Sequence, residues 1–105
     1  VCICGAEVSG RIALKASIEE KLLPTPCVET ENFIYFIGSA KPLDKCEKIV
    51  IKKTHDFLTN VASMSVNDAA KIMSLTGELQ ICQVVDPLKT MRFALPKYLM
   101  AKTIV

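Results

Sequence analysis

Residues 65–97, SVNDAAKIMSLTGELQICQVVDPLKTMRFALPK, decide the fold. Val66, Ala69, Ala70, Met73 and, at the margin, Leu75 recur at helical spacing. Ser65 precedes them, where a hydroxyl caps a first turn, and Asp68 takes the reciprocal position of a capping box. Gly77 is placed to stop the helix as a left-handed residue. Leu79, Ile81, Gln83 and Val85 then alternate with Gln80, Cys82 and Val84, which is the period of a strand. Asp86-Pro87 turns the chain, since proline has the φ that a turn needs. Met91, Phe93 and Leu95 alternate with Arg92 and Ala94 up to Pro96, completing a hairpin-like pair.

Upstream, Leu43 to Val61 also reads as a helix. Leu43, Cys46, Ile49/Val50, Phe57/Leu58 and Val61 form its apolar stripe, and Lys45, Lys48, Lys52, Asp56 and Thr59 its wet side. Asp44 suits the N-terminal end of the helix dipole. Before it, Asn32 to Ile37 (NFIYFI) is apolar on both parities and is expected to be a central strand covered on both faces. Leu22 to Pro26 is an extended connector, because its two prolines disfavour helix. From Cys2 to Ile18 the even positions are apolar or small and the odd ones mostly polar, predicting strand with a break at Gly10. The order β-β-β-α-α-β-β lacks regular β-α-β alternation. It predicts α+β, with two helices inserted in a mainly antiparallel sheet and a single domain over residues 1–105.

Half of the 105 residues are apolar and the mean hydropathy is +0.34, ample for a core and suggestive of apolar surface meeting another chain, a homodimer being expected. A net charge of +2 with interspersed signs and six scattered aromatic residues argues against nucleic acid and anionic lipid as partners. No apolar run approaches the roughly 18–20 residues that span a bilayer. Five cysteines without a secretory signal in the sequence favour reduced thiols and a cytoplasmic setting. The chain opens on VCICGAEVSG, without Met and already in strand pattern, so it is expected to be a portion of something longer.

Cys2 and Cys4 share a parity with Val8 and Leu14, which suits small core residues better than zinc ligands, and Cys27, Cys46 and Cys82 stand alone. His55, the single histidine, falls beside the wet helical face, so no Ser-His-Asp or Cys-His set is assembled around it. No Gly-x-Ser-x-Gly surrounds Ser63 or Ser65. The carboxylates are the better candidates for chemistry: Glu7 among small residues of the first strand, Glu29 leading into NFIYFI, and Asp86 at a strand end. For each of them an ordinary solvated charge or turn former is the plainer reading.

The segment ICQVVDPLKTMRFALPK resembles the C-terminal part of the acetamidase/formamidase family, with Thr90 and Arg92 as its T-x-R continuation. Further segments keep the family's order. Val1 to Gly10 resembles the strand after a Gly-Asp-Gly-Glu segment, Leu23 to Thr30 resembles LP-x-P-x-x-ET, and Asp56-Phe57-Leu58 resembles a family helix. Glu78 stands where the family pattern has Asp. The resemblance implies hydrolysis of formamide or acetamide to a carboxylate and ammonia. It also implies that the principal catalytic residues lie upstream of Val1, in an N-terminal portion that would be a partner of this one. Glu7 and Glu29 are then the catalytic contributions expected here, with no metal site in this portion and a divalent metal reserved for the full-length enzyme. A structural or dimerisation portion, or a small-ligand binding module without catalysis, is the alternative.

Overall fold

The computed structural model describes residues 4–20 and 23–100. Its longest element, α1 (Leu43–Asn60), shows how the sequence builds the body. Cys46, Val50, Phe57 and Leu58 recur on one side and are at most 2% exposed. Thr54 continues this stripe although it is polar, because its hydroxyl donates to the Val50 carbonyl at 2.7 Å and so needs no water. The Cys46 thiol is likewise spent on backbone, donating to the carbonyls of Lys89 (3.1 Å) and Ala40 (3.5 Å).

Four strands make one antiparallel sheet: β1 (Cys27–Glu29), β2 (Phe33–Ala40), β3 (Glu78–Gln83) and β4 (Lys89–Pro96), in the spatial order β1-β2-β4-β3. The β2–β4 register runs unbroken from Phe33 opposite Pro96 to Ala40 opposite Lys89. It places Ile34 and Phe36 on the same face as Leu95, Phe93 and Met91, all buried under the helices. At Gly38 a side chain would meet Ile49 at 2.7 Å and Val50 at 3.0 Å, so α1 crosses β2 at this residue. The second helix, α2 (Val66–Thr76), contributes Ala69 and Met73 to the same core. Ser65 caps it as expected, its hydroxyl oxygen accepting from the Asp68 amide at 3.1 Å.

The α+β class, the antiparallel sheet and the inserted helix pair are those predicted; three details differ. The strand expected over Cys2–Ile18 does not form in the described part of it. Residues 4–20 carry no strand and are all exposed, because no neighbouring strand among the described residues is available to pair with them; Cys2 and Ile3 lie outside those residues. β2 is central as expected, but helices cover only one of its faces, leaving Phe33, Tyr35 and Ile37 half-buried on the other. Gly77 is extended (φ −82°, ψ 154°) rather than left-handed. Glycine is required there for space instead: a Cβ would overlap the Phe93 ring and lie 2.7 Å from the Met73 carbonyl oxygen.

Candidate functional site

The uncovered sheet face is the most organised polar surface among the described residues. The registers bring Gln80 of β3, Arg92 of β4 and Ile37 of β2 side by side, with Tyr35 two pairs further along on the same face. Arg92 is fixed twice: its Nε donates to Gln80 Oε1 at 2.6 Å, and its guanidinium lies over the Tyr35 ring, 4.2 Å from the centroid. Gln80 is held in turn, its amide nitrogen donating to Glu78 Oε2 at 3.1 Å. Tyr35 stacks on Phe33 with centroids 5.8 Å apart. A shallow depression of about 560 Å³ opens beside Gln80, Cys82 and Arg92. The arrangement offers a preorganised cation able to receive a carboxylate or polarise a carbonyl, with the Glu78 carboxylate held one hydrogen bond beyond Gln80.

On the helix side lies a second concavity, about 390 Å³, between Ile51 and His55 of α1, Met73 of α2, and Leu79 and Phe93 of the sheet. Its walls are apolar apart from the His55 ring and Ser74. That histidine is half-buried rather than solvated as expected, with Nε2 3.3 Å from the Val66 carbonyl at the junction of the helices. Such a cleft is suited to sheltering an apolar group.

The carboxylates singled out from sequence lie apart. Glu7 is on the exposed segment 4–20. Glu29, at the end of β1, is paired with Lys97 at 2.5 Å, and Lys97 also donates to the Thr30 carbonyl at 3.2 Å. Asp86 is exposed in the β3–β4 turn, where the organising group is Gln83. The Gln83 side-chain oxygen accepts from the amides of Val85 and Asp86, both at 2.9 Å, and its nitrogen donates to the Leu88 carbonyl at 2.7 Å. Sequence reasoning placed Gln83 on the strand and missed this role, as it missed the Arg92–Tyr35 stack. Only the T-x-R pattern pointed at Arg92. Among the described residues no three His, Cys, Asp or Glu side chains lie close enough to hold a metal, so those present do not fit a divalent-metal site by themselves.

Cys27 sits beside these groups, half-buried on β1. Burial pushes its thiol pKa up, the Glu29 charge adds to that, and nearby Lys53 only partly opposes them. Lys53 is shifted down by its own burial, with Nζ donating to the carbonyls of Thr25 (2.9 Å) and Ile37 (2.7 Å). This is a clamp between α1 and the sheet rather than an activated nucleophile. Cys27 is therefore expected to alkylate several-fold more slowly than exposed Cys82 with iodoacetamide at pH 8. Peptide mass spectrometry over time checks this, and equal rates would contradict the assignment.

No family model and no curated protein matches the chain. Solved structures do. An acetamidase from Bacillus halodurans superposes with a TM-score of 0.77 at 34% identity, over 82% of this chain and 29% of that one. A predicted acetamidase/formamidase from the thermophile Thermoanaerobacter tengcongensis gives 0.77 at 36% identity, over 84% and 30%. This chain is homologous to part of the acetamidase/formamidase enzymes. An acetamidase from Yersinia enterocolitica matches at 0.67 and 28% identity, over 70% and 22%. The acetamidase/formamidase-like chain thus spans less than a third of the length of these relatives. The sequence resemblance carried by residues 81–97 and the superposed fold agree. No helix among the described residues is long and apolar enough to cross a membrane.

Proposed function

We propose that this chain is the C-terminal portion of an amide hydrolase that converts formamide or acetamide to the carboxylate and ammonia. The observation that carries the reading is the superposition on two such enzymes with TM-scores of 0.77 at 34–36% identity. The reaction needs an activated water or nucleophile, stabilisation of the developing oxyanion, and a proton for the departing nitrogen. Arg92 is suited to the second task, held as it is by Gln80 and Tyr35 with its terminal nitrogens directed to no partner among the described residues. Glu7 and Glu29 are the acidic groups that the family resemblance singles out in this portion. Glu29, being tied to Lys97, is suited to positioning rather than to proton transfer. The water-activating group is assigned to the remaining portion of the enzyme, the partner of this chain.

The test is ammonia release from formamide and acetamide. The chain alone is expected to show none above background. Produced together with the part of the Thermoanaerobacter enzyme that lies outside the matched 30%, it is expected to turn over. Absence of turnover in a complex shown to form would overturn the hydrolase reading. A second reading, a homodimerisation unit, is favoured by half-exposed Val28 and Ile81 on the two edge strands. Light scattering that finds a monomer at all concentrations removes it.

A further inference from the structure

Residues 4–20 are exposed and belong to no strand, yet they are patterned as one. Val8, Ile12, Leu14 and Ile18 share a parity, so in extended chain they line one side, over roughly 33 Å at the usual strand rise. They are 85–98% exposed. Single exposed aliphatic residues are ordinary, but four in register along eleven positions form a continuous apolar stripe. Glu7, Ser9, Arg11 and Lys15 take the opposite side, so the segment is amphipathic in the manner of an edge strand waiting for a sheet.

The chain's own sheet is a poor template for it. Edge strand β1 has only three residues, and edge strand β3 breaks register at a bulge between Ile81 and Gln83. The chain bends at Thr25 and Pro26 before it enters β1, so the connector is not the extended one that its prolines led us to expect. The comparison with the Thermoanaerobacter enzyme supplies the occupant. Its match covers 84% of 105 residues, about 88, which exceeds the 83 from Leu23 to the end. The superposed region therefore reaches into the first 22 residues, while about 70% of that enzyme lies outside it. We propose that residues 4–20 add as a β-strand to a sheet in the remaining portion of the acetamidase/formamidase-like enzyme, burying Val8, Ile12, Leu14 and Ile18 there. This inference rests on the reading of the chain as one portion of that enzyme.

Hydrogen exchange followed by mass spectrometry tests it, on the chain alone and on the chain produced with the part of the Thermoanaerobacter enzyme outside the match. Alone, amides 4–20 are expected to exchange at open-chain rates, and in the complex alternate amides slow by about 100-fold or more. Val8→Asp with Leu14→Asp, which leaves the body untouched, is expected to weaken the complex by at least tenfold, whereas Ser9→Asp on the opposite side leaves it intact. A complex in which these amides stay unprotected overturns the strand proposal and leaves the functional reading standing. Failure to form any complex overturns the functional reading on which the proposal rests. Concentration-dependent protection in the chain alone makes a second copy the occupant, and this too overturns the proposal.

Discussion

Truncating Phe36 to alanine is expected to lower the stability of the chain by about 3–5 kcal/mol, the cost of deleting a large buried side chain whose site does not collapse. Phe36 is completely buried and packs on Phe57 with ring centroids 5.1 Å apart, joining β2 to α1 where sheet and helices meet. Folded domains commonly hold only about 5–15 kcal/mol in total, so this one substitution removes a large share. Phe33, three residues earlier and on the opposite face, is the matched control. It stacks on Tyr35 but has no helix above it, so Phe33→Ala is expected to cost less than half as much. Urea unfolding of the two variants measures the difference. Equal losses would show that both faces of β2 are covered within this chain, contrary to the one-sided core.

Gly77→Ala is the second large effect expected. At φ −82° an alanine meets no backbone strain, and in open surroundings the exchange would stabilise by about 0.4–1 kcal/mol through the unfolded chain. Here the added Cβ enters the ring of Phe93, which is itself only 5% exposed and has little room to retreat. Overpacking of this kind costs about 1–3 kcal/mol. The cause is identified by a double-mutant cycle: in a Phe93→Leu background the ring is gone, and the penalty for Gly77→Ala is expected to fall by more than half. An unchanged penalty in that background would place the strain elsewhere.

Both substitutions mark where sequence reasoning reached and where it stopped. The Ser65 cap, the run of α2, the β3–β4 hairpin and the helical stripe of α1 were legible because each is a local pattern, settled by residues within a few positions of one another. Gly77 was correctly singled out as the end of α2, but for the wrong reason, since the ring that excludes a side chain comes from Phe93, sixteen positions on. Val66 and Leu75, counted with the apolar face of α2, are 64% and 83% exposed. The helix packs through Ala69 and Met73, and spacing alone does not tell how wide a stripe its neighbours cover. The alternation in residues 4–20 was also real, yet a strand exists only once it has a partner. The same reasoning explains NFIYFI: its two-sided apolar pattern is that of a strand between two layers, and this chain supplies one of them.

For the candidate site, type and place separated. Glu7 stands out for its small neighbours and Glu29 for leading into NFIYFI, but the structure puts the first on the exposed segment 4–20 and ties the other to Lys97. The group held most firmly on the open face is Arg92, whose partners Gln80 and Tyr35 lie 12 and 57 positions away and meet it only through the sheet register.

We propose that this chain and the matched segment of the relatives are the same working part of one kind of enzyme. The most direct test is a graft in which residues 1–105 replace the matched 30% of the Thermoanaerobacter protein, with ammonia release from acetamide and formamide as the readout. A folded, monodisperse chimaera is expected that releases ammonia well above background, with activity lost on Arg92→Leu. A chimaera that folds but releases no ammonia would contradict the proposal.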